Sequence, residues 1–116
     1  SIKTLHCLDT WVVDLIGNNM GYKEELEELR NVIDITDEVI LNSIIMRVDL
    51  AIEIGVLKKE HGISEMCQDR RKEILDRVTY KSLEKGTPTY ITKNIFETLI
   101  DKSVELQQMI LSGKKG

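Results

Sequence analysis

Apolar residues recur along this chain at three-, four- and seven-residue steps, the period of an α-helix. From Tyr22 to about Glu60 the series is Leu26, Leu29, Ile33, Ile40, Ile44, Ala51 and Ile54. No proline interrupts it and no glycine precedes Gly55. The pattern therefore predicts one very long first helix. Roughly forty residues at about 1.5 Å each span on the order of 55–60 Å. That is too long for a monomer of 116 residues, so the helix is expected to pack partly against another chain. Gly62, in "HGIS", is placed to end it as the left-handed residue after the last turn.

Three further segments carry a pattern. Ile2, Leu5, Leu8, Trp11, Val12, Leu15 and Ile16 predict a short N-terminal helix, broken by "GNNMG" from Gly17 to Gly21. A second helix of the main body is expected over about Glu65 to Leu83, with Met66, Ile74, Leu75 and Val78 on its apolar side. "EKGTP" stops it. A third helix starts either with Thr87 as cap and Pro88 at its first position, or at Thr89. It carries Ile91, Ile95, Phe96, Leu99, Ile100, Val104, Leu106 and Ile110. The expected organisation is an extension at 1–20, a three-helix domain at 21–112 and a frayed tail at 113–116. The fold class is all-α.

Composition agrees. Hydrophobic residues make up 41% and charged residues 31%, with a single proline, which suits a helical globular domain. The net charge of −4 gives no reason to expect nucleic acid. It also makes a local cluster of cations informative, because the cluster runs against the balance. Cys7 and Cys67 are the only cysteines and have no metal-ligand spacing. No metal is expected, and two free thiols point to a reducing cytoplasm. Neither a membrane span nor a secretory signal is read.

The candidate chemistry begins with Arg47, which interrupts the apolar stripe of Ile44, Ala51 and Ile54. Lys58 lies eleven residues on, about 20° past three full turns and about 16 Å along the axis. The two cations share a face. Ser103 and Gln107, four apart, share a face of the third helix. Arg30 lies about 100° around the first helix from Arg47 and would point into a partner's site in an antiparallel dimer. Read singly, each residue has a plain explanation. Arg47 fits an edge arginine paired with an acid. Lys58 suits a helix C-terminus. Ser103 and Gln107 fit ordinary helix positions. Read together, cations on an apolar stripe call for anions, either the protein's own or a ligand's. With no nucleophile or histidine base at a catalytic spacing, the set suits a small polyanion.

The polar spacing carries a resemblance. "LEELRNVIDITDEVI…RVDLAIEIGVLKK…DRRKEIL…FETLIDKSVELQQ" resembles the all-helical class of chorismate mutases, over about Glu24 to Leu111. Arg30, Arg47, Lys58, Arg70, Ser103 and Gln107 stand at that family's spacings. The resemblance implies an intertwined helical homodimer, with Arg30 donated across the interface. It implies the rearrangement of chorismate, a dicarboxylate, to prephenate in aromatic amino acid biosynthesis, with no cofactor. Arg47 and the partner copy's Arg30 would grip carboxylates. Lys58 and Gln107 would donate to the ether oxygen. Arg70 and Ser103 would orient the ring carboxylate and its neighbours.

Two positions depart from the family pattern. Cys67 stands where an aspartate is expected and Arg71 where a glutamate is expected, the one that typically accepts from the substrate's 4-hydroxyl. Cysteine is a weak acceptor and arginine cannot accept at all. Three alternatives follow: a 4-amino-4-deoxychorismate mutase, an isochorismate-pyruvate lyase, or a non-catalytic domain used for dimerisation or metabolite binding.

Overall fold

A computed structural model describes residues 21–64 and 67–113. The expected N-terminal helix and turn at 1–20, with Cys7, lie outside the described residues, as does most of the tail. The described residues form three helices: α1 (Tyr22–Glu60), α2 (Gln68–Lys85) and α3 (Thr89–Leu111). Among the described residues there is no strand, and no helix is long and apolar enough to cross a membrane. The fold is all-helical.

The chain divides into two units, 1–42 and 43–116, and α1 runs from one into the other. In the first unit, α1 leaves Ile33, Ile35, Val39, Ile40 and Leu41 half or more exposed. Burying one such side chain is worth about 1.5–3 kcal/mol, so these residues, spread around the helix, are a substantial unburied apolar surface.

In the second unit, α2 packs along α3. Ile74 of α2 and Ile100 of α3 are buried, and so is Ala51 of α1. Ser82 is buried between α2 and α3. Its Oγ donates to the Val78 carbonyl at 2.8 Å and lies 2.5 Å from the Thr92 hydroxyl. This satisfied polar contact stands where the apolar pattern of α2 runs out.

The helix ends follow local chemistry. Gly62 has φ 66°, and the amides of Gly62 and Ile63 reach back to the Lys59 and Lys58 carbonyls. That is the glycine stop expected from "HGIS". Gly86, φ 72°, ends α2 in the same way, with Thr87 N–H bonding the Ser82 carbonyl at 2.9 Å. Pro88 caps α3, so the helix starts at Thr89, the second of the two starts weighed for it. One boundary differs. The expected second helix begins near Glu65, whereas α2 begins at Gln68. Cys67 is extended, with φ −82° and ψ 103°, and makes no side-chain cap. An extended residue cannot sit inside a helical turn, so Cys67 precedes the helix instead of riding on it.

Candidate active site

The second unit holds a pocket of about 620 Å³, within the range of small-molecule sites. Three helices line it. Its position follows from where α1 can approach α3. The small residues Ala51 and Gly55, one turn apart, are the buried positions of α1. A Cβ placed on Gly55 would come within 3.0 Å of Ile110 Cδ1 and 3.4 Å of the Gln107 Cα. Glycine is therefore what lets the two backbones close up beside Gln107. One helical turn to either side of this small-residue seam, α1 carries its long cations.

Those cations cross to α3. Arg47 Nη1 donates to Ser103 Oγ at 2.6 Å and lies 3.4 Å from the Leu99 carbonyl. Ser103 Oγ in turn donates to that carbonyl at 2.8 Å. Lys58 Nζ donates to Gln107 Oε1 at 3.2 Å. The two cations are eleven residues apart on α1, about 16 Å of rise, but their partners are only four apart on α3, about 6 Å. The long side chains thus lean toward one another over the pocket. Gln107 is buried at 8% exposure. With Oε1 accepting from Lys58, its amide nitrogen is left as the donor.

Electrostatics in the pocket are one-sided. Its lining includes Arg47, Lys58, Arg70, Arg71 and Arg77, against Asp101 alone as a carboxylate among the described residues. Burial, and secondly the nearby charge of Arg70, hold the Arg47 guanidinium below its usual basicity. An arginine so placed remains cationic, and an anion beside it would offset both effects. Apolar surface from Ile54, Ile74, Phe96, Ile100 and Val104 fills the remainder.

The structure brings together five of the six expected site residues, Arg47, Lys58, Arg70, Ser103 and Gln107. Arg70 lines the pocket from the first turn of α2, where it is also paired with Glu73 at 2.7 Å. Arg30 is exposed on α1 in the first unit. The departures Cys67 and Arg71 both line the pocket. Arg71 binds Asp101 at 2.5 Å and approaches Glu97 at 3.6 Å, crossing from α2 to α3.

Two charged lining residues were missed in the sequence. Arg77 follows Arg70 by seven residues, 20° short of two turns, so helical spacing alone would have found it. Asp101 carries no such signal, because its partner lies on another helix. Among the described residues, no group of His, Cys, Asp and Glu is arranged to hold a metal ion.

Comparison with known proteins identifies the scaffold. The family model for chorismate mutase type II matches residues 29–108. A chorismate mutase from Methanocaldococcus jannaschii is 34% identical over 88 residues, covering 76% of this chain and 89% of that protein. A 4-amino-4-deoxychorismate mutase from Streptomyces venezuelae is 25% identical over 93 residues, covering 80% of this chain and 90% of that protein. No solved structure gives a significant match. The family match takes in well over half the chain and every candidate residue from Arg30 to Gln107. This chain belongs to the chorismate mutase type II family, a family of isomerases.

Proposed function

We propose that this protein converts chorismate to prephenate in the cytoplasm, as a step of aromatic amino acid biosynthesis, and that residues 21–112 form the catalytic domain. The observation that carries the reading is the pair of crossings, Arg47 to Ser103 and Lys58 to Gln107, over one cation-lined pocket. The exposed free thiol of Cys67 suits a reducing compartment.

The reaction is unimolecular. The ether C–O bond breaks as a C–C bond forms, and no atom enters or leaves. No general acid or base is required. The barrier has two parts, and the pocket addresses each. First, the flexible dianion must be held in a compact conformer that brings the bond-forming carbons together. Arg47 grips a carboxylate as a planar fork, its orientation fixed by Ser103. Arg70 takes the other carboxylate from the α2 side. Second, negative charge builds on the ether oxygen as the bond breaks. Lys58 and the Gln107 amide nitrogen donate to it, and their mutual hydrogen bond sets their direction before substrate arrives. Apolar walls strengthen these interactions by excluding water.

The working form is a homodimer, with Arg30 of one copy completing the other copy's site. Two observations support this. Ile33, Ile35, Val39, Ile40 and Leu41, on several sides of α1, lie exposed in the single chain. The described residues also contain no fully buried large side chain, as expected of a core completed by a second chain.

A second reading, a 4-amino-4-deoxychorismate mutase, is favoured by the similarity to the Streptomyces venezuelae protein and by the departures at Cys67 and Arg71. Offering purified protein chorismate, isochorismate and 4-amino-4-deoxychorismate in parallel separates these. The proposal expects turnover of chorismate above the others. A preference for the amino substrate would favour the second reading, and turnover of none would leave a binding module.

A further inference from the structure

We propose that Asp101, positioned by Arg71, is the group that recognises the substrate's ring hydroxyl; the proposal deepens the chorismate reading and rests on it. The argument starts from acceptors. A pocket lined by five cations holds carboxylates well, but cations only donate hydrogen bonds. A ring hydroxyl needs an acceptor for its proton. Gln107 Oε1 is occupied by Lys58, and Ser103 Oγ accepts from Arg47. Gln68 and Cys67 also line the pocket, but a neutral amide and a thiol are weaker acceptors than a carboxylate. Among the described lining residues, Asp101 is the single carboxylate.

Its geometry suits the task. Arg71 Nη1 takes Asp101 Oδ1 at 2.5 Å, while Nη2 lies 3.6 Å from Glu97 Oε2. A carboxylate has two oxygens and about four lone-pair directions, so this contact leaves Oδ2 for a second donor. Asp101 is 62% exposed, so a ligand reaches it without displacing packed side chains. The guanidinium fork between two acids restrains Arg71, and Arg71 restrains Asp101. The recognised group is a neutral hydroxyl and not an ammonium, because five surrounding cations oppose a further positive charge.

The test is a two-by-two comparison. Wild-type protein and Asp101→Ala are each given chorismate and an analogue with the ring hydroxyl replaced by hydrogen. Helicity by circular dichroism checks folding. Losing a hydrogen bond to a charged group corresponds to about a tenfold to hundredfold fall. The proposal expects that fall in kcat/KM for chorismate, mainly through KM, with the deoxy analogue unchanged. Arg71→Met should lose the same discrimination, and Arg71→Lys should recover part of it. An equal fall on both substrates would reduce Asp101 to a structural partner of Arg71 and overturn the proposal, as would no fall on either. A wild-type preference for 4-amino-4-deoxychorismate would overturn the choice of hydroxyl. If wild-type protein turns over nothing, the chorismate reading fails separately. The same four pairings are then read by calorimetric affinity. Loss of a chorismate preference in Asp101→Ala supports the assignment, and equal wild-type affinities for the two ligands refute it.

Discussion

Two walls of one pocket have different characters. The wall between α1 and α3 is internally braced, with Arg47 on Ser103 and Lys58 on Gln107. These four residues stand at the spacing of the family. The wall contributed by the start of α2 departs from that pattern at Cys67 and Arg71. Arg70 turns to Glu73 on its own helix, Cys67 sits ahead of the helix in extended backbone, and Arg71 reaches over to Asp101. In the proposed reaction the contrast maps onto two demands. Stabilising charge on the breaking bond requires donors at fixed points, and few substitutions satisfy that. Recognising ring substituents requires only an acceptor within reach, and more than one helix can supply it.

Substitutions on the two walls should therefore behave differently. The largest effect is expected at Lys58. Removing one preorganised donor from a developing oxyanion costs about 10²- to 10³-fold in rate, so Lys58→Ala should lose at least that in kcat while remaining helical by circular dichroism. Weaker binding with normal kcat would show that Lys58 only holds substrate.

The second effect concerns Arg30, which the proposed dimer would bring to the site from the partner copy. Arg30→Ala and Lys58→Ala chains should each be nearly inactive alone. Co-expressed, random pairing makes half the dimers mixed, and each mixed dimer has one intact site, so about a quarter of wild-type activity should return. No recovery would mean that Arg30 serves its own chain or none.

The smallest effect is expected on the α2 wall. Arg70 is half exposed and already paired within its helix, and such contacts are worth about 0.2–1 kcal/mol. Arg70→Ala should raise KM by only a few-fold and leave kcat nearly intact. A loss as large as that of Lys58→Ala would erase the distinction between the walls.

The same distinction explains what could be read from the sequence. Arg47 and Lys58 were aligned by the helical period alone, as were Ser103 and Gln107, because a helix fixes the direction of every side chain it carries. The glycine stop at Gly62 and the start of α3 at Thr89 follow from backbone chemistry that is local to a few residues. The beginning of α2 was placed too early because periodicity marks the face of a helix better than its end. Asp101 was invisible. Beside Lys102 it reads as a solvated surface acid, and only the packing of α2 on α3 gives it Arg71 as a partner. Arg71 itself was read as a loss of the acidic pattern. In the structure it is an arginine with two acids of α3 in reach. The length of α1 was legible, and the expectation of a second chain was drawn from that length. Which residues that chain would add depends on a docking that one sequence does not encode locally.

The central claim is that this pocket rearranges one dicarboxylate without any other reactant. It is tested most directly by following chorismate with purified protein in buffer alone, with the products identified by nuclear magnetic resonance. The account predicts one prephenate for each chorismate consumed, at a rate far above the uncatalysed rearrangement and abolished in Lys58→Ala. Release of pyruvate, or consumption no faster than in buffer, would contradict it.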